Sequence, residues 1–165
     1  MARAHLLLMD ACVLIDFATI DESVLLLTSR HVGDLYVASP VLAEVRALDE
    51  ARAVSLGIKT FVPTLDMVFD AANTRGRLSF EDRLCVIVAK AKRWTCVSND
   101  RRLRASCAAE NVPVWWGFDV LAALVEARAF SARSAAEIAK QIVESNKRIT
   151  GKVLVEFYAR IGVKE

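Results

Sequence analysis

A chain of 165 residues is long enough for one domain with a sizeable core and short for two. With 55% hydrophobic and 25% charged residues it reads as globular, not disordered, and no apolar run approaches the ~18 residues that a membrane span needs. A net charge of +2 excludes overall charge as a driver of nucleic-acid binding, so any basic surface must be local.

The N-terminus runs straight into the first apolar stretch, so no separate signal peptide is expected. The cysteines are Cys12, Cys85, Cys96 and Cys107. They form no C-x-x-C pair, and His5 and His31 lie far apart in sequence, so a structural zinc site is not expected. Cysteines in apolar segments usually act as small buried hydrophobes, and the expectation is a reduced, cytoplasmic protein.

Leu6–Met9 is a short, continuous apolar run that ends in Asp10. It reads as a parallel strand buried on both faces. Asp16 is left as a turn or helix-cap acid. Ser23–Arg30 has helical spacing at Val24, Leu25 and Leu27, and Gly33-Asp34 punctuates it. Leu35–Ala38 is the second strand. Ser39 as N-cap and Pro40 at the first helical position open a helix that runs, with a possible break, to Leu56 and Gly57. Lys59–Val62 is the third strand, and Thr64 caps the helix after it. Ser79 caps another helix, with Asp82 three residues on as in a capping box. That helix is apolar nearly all round through Cys85, Val86, Val88 and Ala89, and should be deeply buried. Trp94–Ser98 is the fourth strand, followed by Asn99-Asp100 and a helix to Asn111. Val112–Trp115 is the fifth, and its proline suits an edge. Helices over Phe118–Ala129, Ser134–Asn146 and Gly151–Ile161 complete the chain.

Strands alternating with helices imply right-handed crossovers and a parallel sheet. The expected class is α/β: three layers, α/β/α, around a central parallel sheet of about five strands, plus C-terminal helices. One domain spans 1–165, with a core of about 1–129 and a helical extension of 130–165. The apolar stripe of that extension (Ile138, Ile142 and Val143, then Val153, Leu154, Phe157 and Ile161) is ordinarily core, and alternatively a subunit or inhibitor interface.

Asp10 and Asp100 follow the first and fourth strands. Glu44 lies in the first turns after the second, and Asp82 in the first turn of the helix before the fourth. In a parallel sheet the strand carboxyl ends and the helix N-termini after them share one rim, where ligands bind. Each acid also has an ordinary use: Asp10 or Asp100 as an N-cap, Asp82 as the partner of Ser79, and Glu44 on a solvated helix face. Four carboxylates converging without Lys or Arg would repel one another, and a divalent cation removes that conflict. Hard carboxylate oxygens suit Mg²⁺ or Mn²⁺.

The motifs Asp10-Ala-Cys-Val-Leu-Ile-Asp16, Pro40-Val-Leu-Ala-Glu44-Val, Leu78-Ser-Phe-Glu-Asp82 and Val97-Ser-Asn-Asp100 resemble the four acidic motifs of PIN-domain nucleases, in order, spacing and neighbours, across roughly Leu6 to Leu124. Among small members the chain resembles the VapC-like toxins of type II toxin–antitoxin pairs. The resemblance implies that Asp10, Glu44, Asp82 and Asp100 hold Mg²⁺ or Mn²⁺ and hydrolyse RNA, leaving a 5′-phosphate and a 3′-hydroxyl. It also points to a cognate antitoxin; a homodimer is expected, and, with no apolar run long enough for a span, no membrane partner. A small hydroxyl residue often follows the first acid of that family; here Ala11 and Cys12 stand instead. Ser98 takes a place often held by Thr.

Substrate phosphates need cations outside the acid cluster. Ser98, Arg101 and Arg102 are the candidate substrate contacts, with Arg104, Arg75, Arg77 and Arg83 nearby in sequence. Trp115 and Trp116 are candidates for stacking a base, for the core, or for a subunit contact. Asp119 is a possible additional acid at the rim, and equally suits a helix start beside Gly117. The alternative to an enzyme is a non-catalytic RNA-binding or assembly module of the same fold. No G-x-x-x-x-G-K-[ST] or G-x-G-x-x-G occurs, and position 12 is Cys where an aspartyl phosphatase needs Asp.

Overall fold

The computed structural model describes residues 5–147 and 149–164. Residues 1–4, on which the reading of the N-terminus rests, lie outside the described residues. Five parallel strands form one sheet in the order β3-β2-β1-β4-β5: β1 (His5–Met9), β2 (Gly33–Ala38), β3 (Ile58–Phe61), β4 (Thr95–Val97) and β5 (Val114–Trp115). Leu7 of β1 registers with Leu35 of β2 on one side and Thr95 of β4 on the other. Both flanks of β1 are thus paired, and Leu7, Leu8 and Met9 are fully buried. This is why the strand reads as an unbroken apolar run. At the start of β2 the chain passes so close to β1 that a Cβ on Gly33 would collide with the His5 carbonyl.

The first connection contains a helix that the sequence reading left without an element, α1 (Ala11–Ile20), and then α2 (Ser23–His31). The stretch after β2, expected as a helix with a possible break, is two short helices, α3 (Ser39–Leu42) and α4 (Glu50–Ser55). Tight turns separate them: the Glu44, Val45 and Leu48 amides donate to the carbonyls three residues back at 3.1, 2.9 and 3.2 Å. Val45 and Leu48 are buried and pin this loop, while Asp49 accepts from the Arg52 amide at 2.7 Å and restarts the helix. Ala38 is the cap residue of α3, and Ser39 lies inside the first turn.

Between β3 and β4 run α5 (Leu65–Asn73), capped by Thr64, and α6 (Phe80–Lys92), capped by Ser79. Leu84, Cys85, Val88 and Ala89 of α6 are at most 1% exposed, as the all-round apolar pattern predicts. Next come α7 (Arg101–Ala109), capped by Asp100, and, after β5, α8 (Gly117–Glu126), α9 (Ala132–Ser145) and α10 (Gly151–Ile161). Helix α6 touches β2, β4, α5 and α7, whereas α8 touches α2, α9 and α10, and α9 also reaches α1. These two groups are the outer layers of a three-layer α/β/α fold. Ala135, Ile138, Ala139 and Ile142 of α9 join the central hydrophobic cluster, and Phe157 of α10 lies 5.2 Å from Phe118, ring centre to ring centre. Each large side chain buried in this way contributes roughly 1.5–3 kcal/mol. Among the described residues no helix is long and apolar enough to cross a membrane.

Candidate metal centre

The strand order creates a switch point between β1 and β4. From β1 the chain moves outward through β2 to β3, then recrosses and moves the other way through β4 to β5. Crossovers of one hand send the two connections to opposite faces, and a crevice opens at the carboxyl ends of β1 and β4. Asp10 leaves β1 at this point, and Ser98, Asn99 and Asp100 leave β4.

Asp10 serves both uses that the sequence allows, as helix cap and rim acid. The Ala11 amide donates to its Oδ1 at 2.7 Å, starting α1. The Ser98 hydroxyl and the Cys12 thiol donate to its Oδ2 at 2.8 and 2.9 Å. Its own amide donates to the Val97 carbonyl at 3.0 Å, extending the β1–β4 ladder past the strand end. Only 5% of Asp10 is exposed. Burial raises its pKa above the ordinary Asp value; the three donors oppose that rise, and the charge of Asp100 adds to it.

Cys12 therefore supplies the donor whose absence the Ala11-Cys12 pair suggested. Burial, then the neighbouring Asp10 charge, push its pKa well above the usual thiol range, so it stays protonated and donates. Ser98, expected among the substrate contacts, is fully buried and shapes the site from beneath: while its hydroxyl donates to Asp10, its oxygen accepts from the Asp100 amide at 3.0 Å. Asp100 in turn accepts from the Leu103 amide at 2.9 Å as the cap of α7.

The remaining acids converge electrostatically. The Asp82 pKa is raised by burial, then by Asp10 and further by Asp100, with hydrogen bonding from Ser79 opposing. Glu44, in the turn just past α3, is raised by burial and then by Glu81, Asp82 and Asp10. Asp10, Glu44 and Asp82 thus each feel at least one other predicted acid. Glu81 is a neighbour the sequence reading passed over. Its position beside Asp82 in the first turn of α6 was the available signal.

Asp16 is neither a turn nor a cap acid. It sits within α1, and its Oδ2 accepts from Asn99 Nδ2 at 3.3 Å. Burial raises its pKa, with Asn99 opposing. Asn99 is 6% exposed, and its Oδ1 accepts from the Gly117 amide at 2.9 Å, which ties the β4 end to the start of α8. No sequence pattern marks that link. Asp119 is engaged away from the crevice: its Oδ2 accepts from the Trp116 amide at 2.6 Å and its Oδ1 pairs with Arg160. Arg101 and Arg102 are exposed at the start of α7. The His5 ring lies against Trp115, and His31 is exposed at the end of α2.

The chemistry of this donor set fits a hard divalent cation. Among the described residues no Lys or Arg forms an ion pair with Asp10, Glu44 or Asp82, and their mutual repulsion is what a cation would relieve. The side chains are not drawn into a closed shell. Among the described residues no three His, Cys, Asp or Glu side chains stand close enough to hold an ion between them. Compared with known proteins, the chain matches no family model, no curated protein and no solved structure.

Proposed function

We propose that this chain is a metal-dependent endoribonuclease of the PIN-domain kind, acting as the toxin of a toxin–antitoxin pair in the cytoplasm. The observation that carries the reading is that Asp10 and Asp100 follow the adjacent strand ends of β1 and β4 and share the Ser98 hydroxyl, with Asp82 and Glu44 near enough to feel the Asp10 charge. Asp10, Asp100, Asp82 and Glu44 would hold Mg²⁺ or Mn²⁺, directly or through its waters. Such an ion lowers the pKa of a bound water and steadies charge on the phosphodiester oxygens.

The protein's own donors aim two of the acids. Three donors hold Asp10 in one orientation, and the Leu103 amide holds Asp100. Arg101 and Arg102 would bind backbone phosphates beside the acids without entering their cluster. No side chain is needed as a nucleophile. The products would be a 5′-phosphate and a 3′-hydroxyl. Silencing by an antitoxin, and a homodimer as the working state, belong to the same reading. A basic side chain from the antitoxin inserted among the acids would be a direct inhibitor.

RNA incubated with Mg²⁺ or Mn²⁺ and with wild-type or Asp10→Asn protein tests the proposal. Cleavage by the wild type that is lost in the variant is the expected result. Equal cleavage by both, or by neither, refutes it. One observation favours a second reading, a non-catalytic RNA-binding or assembly module: the acids are not gathered into a shell that holds an ion directly. On that reading Asp10→Asn leaves RNA binding intact and no preparation cleaves.

A further inference from the structure

A second concavity adjoins the acids. A cleft of about 600 Å³ opens between the start of α7, Trp116 and the start of α10, with Asp100, Arg101, Arg102, Arg104 and Thr150 on its walls. That volume lies within the roughly 300–1,000 Å³ of small-molecule sites. The Arg104 guanidinium carbon lies 3.3 Å from the Trp116 ring centre, so cation and indole form one stacked pair. Arg104 Nε is buried and, among the described residues, has no hydrogen-bond partner. A buried donor in that state calls for an acceptor. Among the described residues neither Arg101 nor Arg102 is in an ion pair.

We propose that this cleft is a subsite for one unpaired nucleotide of single-stranded RNA, its base stacked on the Arg104–Trp116 pair and its phosphates on Arg101 and Arg102. The proposal rests on the ribonuclease reading and specifies the form in which RNA meets the acids. Aromatic and guanidinium planes recognise the π-face of a base, and a base in a duplex has both faces covered by its neighbours. Arg104 Nε would find its acceptor on the ligand. Asp100 lies in the same wall, so the nucleotide held here is next to the acidic crevice. Ile149 and Val153 close the far side, which makes the C-terminal extension part of the RNA site.

The test is fluorescence anisotropy of the full chain with a short labelled single-stranded oligoribonucleotide, in buffer with chelator so that cleavage plays no part. Trp116→Ala should weaken binding about 5- to 150-fold, the range for loss of one base–aromatic stack. Trp116→Phe should retain most of the affinity. Arg101→Ala and Arg102→Ala should each lower the slope of log affinity against log salt by about 0.7. Arg133→Ala, which removes an exposed charge on α9 away from the cleft, should change nothing. A duplex of the same sequence should bind more weakly and without dependence on Trp116. Absence of binding by the wild type, unchanged binding by Trp116→Ala, or equal competition by duplex overturns the subsite. Should Trp116→Ala not fold, Arg104→Met decides in its place, loss of binding supporting the subsite and retention overturning it. Binding that depends on Trp116 in a protein that never cleaves would sink the ribonuclease reading and leave the subsite standing. Asp10-dependent cleavage without such binding would do the reverse.

Discussion

Ser98→Ala removes one hydroxyl with two jobs. Its donation to Asp10 Oδ2 at 2.8 Å is a hydrogen bond to a buried charge, worth about 1.5–3 kcal/mol. Its acceptance from the Asp100 amide at 3.0 Å adds about 1 kcal/mol. Ser98 is fully buried and Asp10 is 5% exposed, so water cannot readily replace either bond. The expected loss at neutral pH is about 2–4 kcal/mol. With a urea slope of about 2 kcal/mol/M, the unfolding midpoint falls by about 1–2 M. Part of this loss depends on pH. The Ser98 bond lowers the folded pKa of Asp10, which burial has already raised above the model-peptide value, so the variant has an Asp10 pKa higher still. The gap between the two proteins is full above the variant's pKa. It narrows as pH falls through that value and then through the wild-type one, because a protonated Asp10 needs no donor. Urea unfolding of both proteins at neutral and acidic pH measures this. A neutral-pH gap below about 0.5 kcal/mol, or one that acid does not narrow, refutes the reasoning.

Three further outcomes follow from the same crevice. Cys12→Ala should cost about 1 kcal/mol, less than Ser98→Ala because a thiol is a weak donor, and Cys12→Ser should recover it; equal urea midpoints for all three proteins would show that the thiol does not support Asp10. Asp10, Asp82 and Glu44 have folded pKa values above their unfolded ones, so they bind protons more tightly when folded. Metal-free protein should therefore gain stability as pH falls from neutral toward the ordinary carboxylate range. At neutral pH, Mg²⁺ or Mn²⁺ should raise the melting temperature of the wild type, by the equivalent of about 2.7 kcal/mol at a hundredfold excess over its dissociation constant. Chelator should reverse the gain and Asp10→Asn should lack it. A melting temperature indifferent to both metals would remove the cation from the site.

The layer order was legible because strands and helices are punctuated by strong local signals. Thr64, Ser79 and Asp100 each accept from the third amide of the helix they precede, as their positions suggest. Helix α1 was not legible. Its residues continue the apolar run of β1, and periodicity cannot separate a buried strand from a buried helix. The only local boundary mark was Asp10. The place of the break between the two helices after β2 was not legible because Val45 and Leu48 keep helical spacing although the backbone between them turns. At the site, the sequence placed Asp10 and Asp100 just after β1 and β4 and Asp82 in the first turn of α6, because strand ends and helix starts carry strong local signals. Cys12 was read as a missing hydroxyl because its role depends on a thiol folding back onto its own helix cap. The Asp16–Asn99–Gly117 link joins residues from three elements, so nothing local announces it.

Asp119 accepts the Trp116 amide and pairs with Arg160, so one carboxylate grips both the backbone that carries the indole and the last turn of α10. Trp116 is thereby ordered before any ligand arrives. A base landing on it would not have to pay for freezing the platform, which is the usual entropic cost of a surface aromatic. The stacked Arg104 belongs to the same preorganised unit. The acid weighed as a possible addition to the rim thus works behind it, holding the backbone of a surface on which a base would stack.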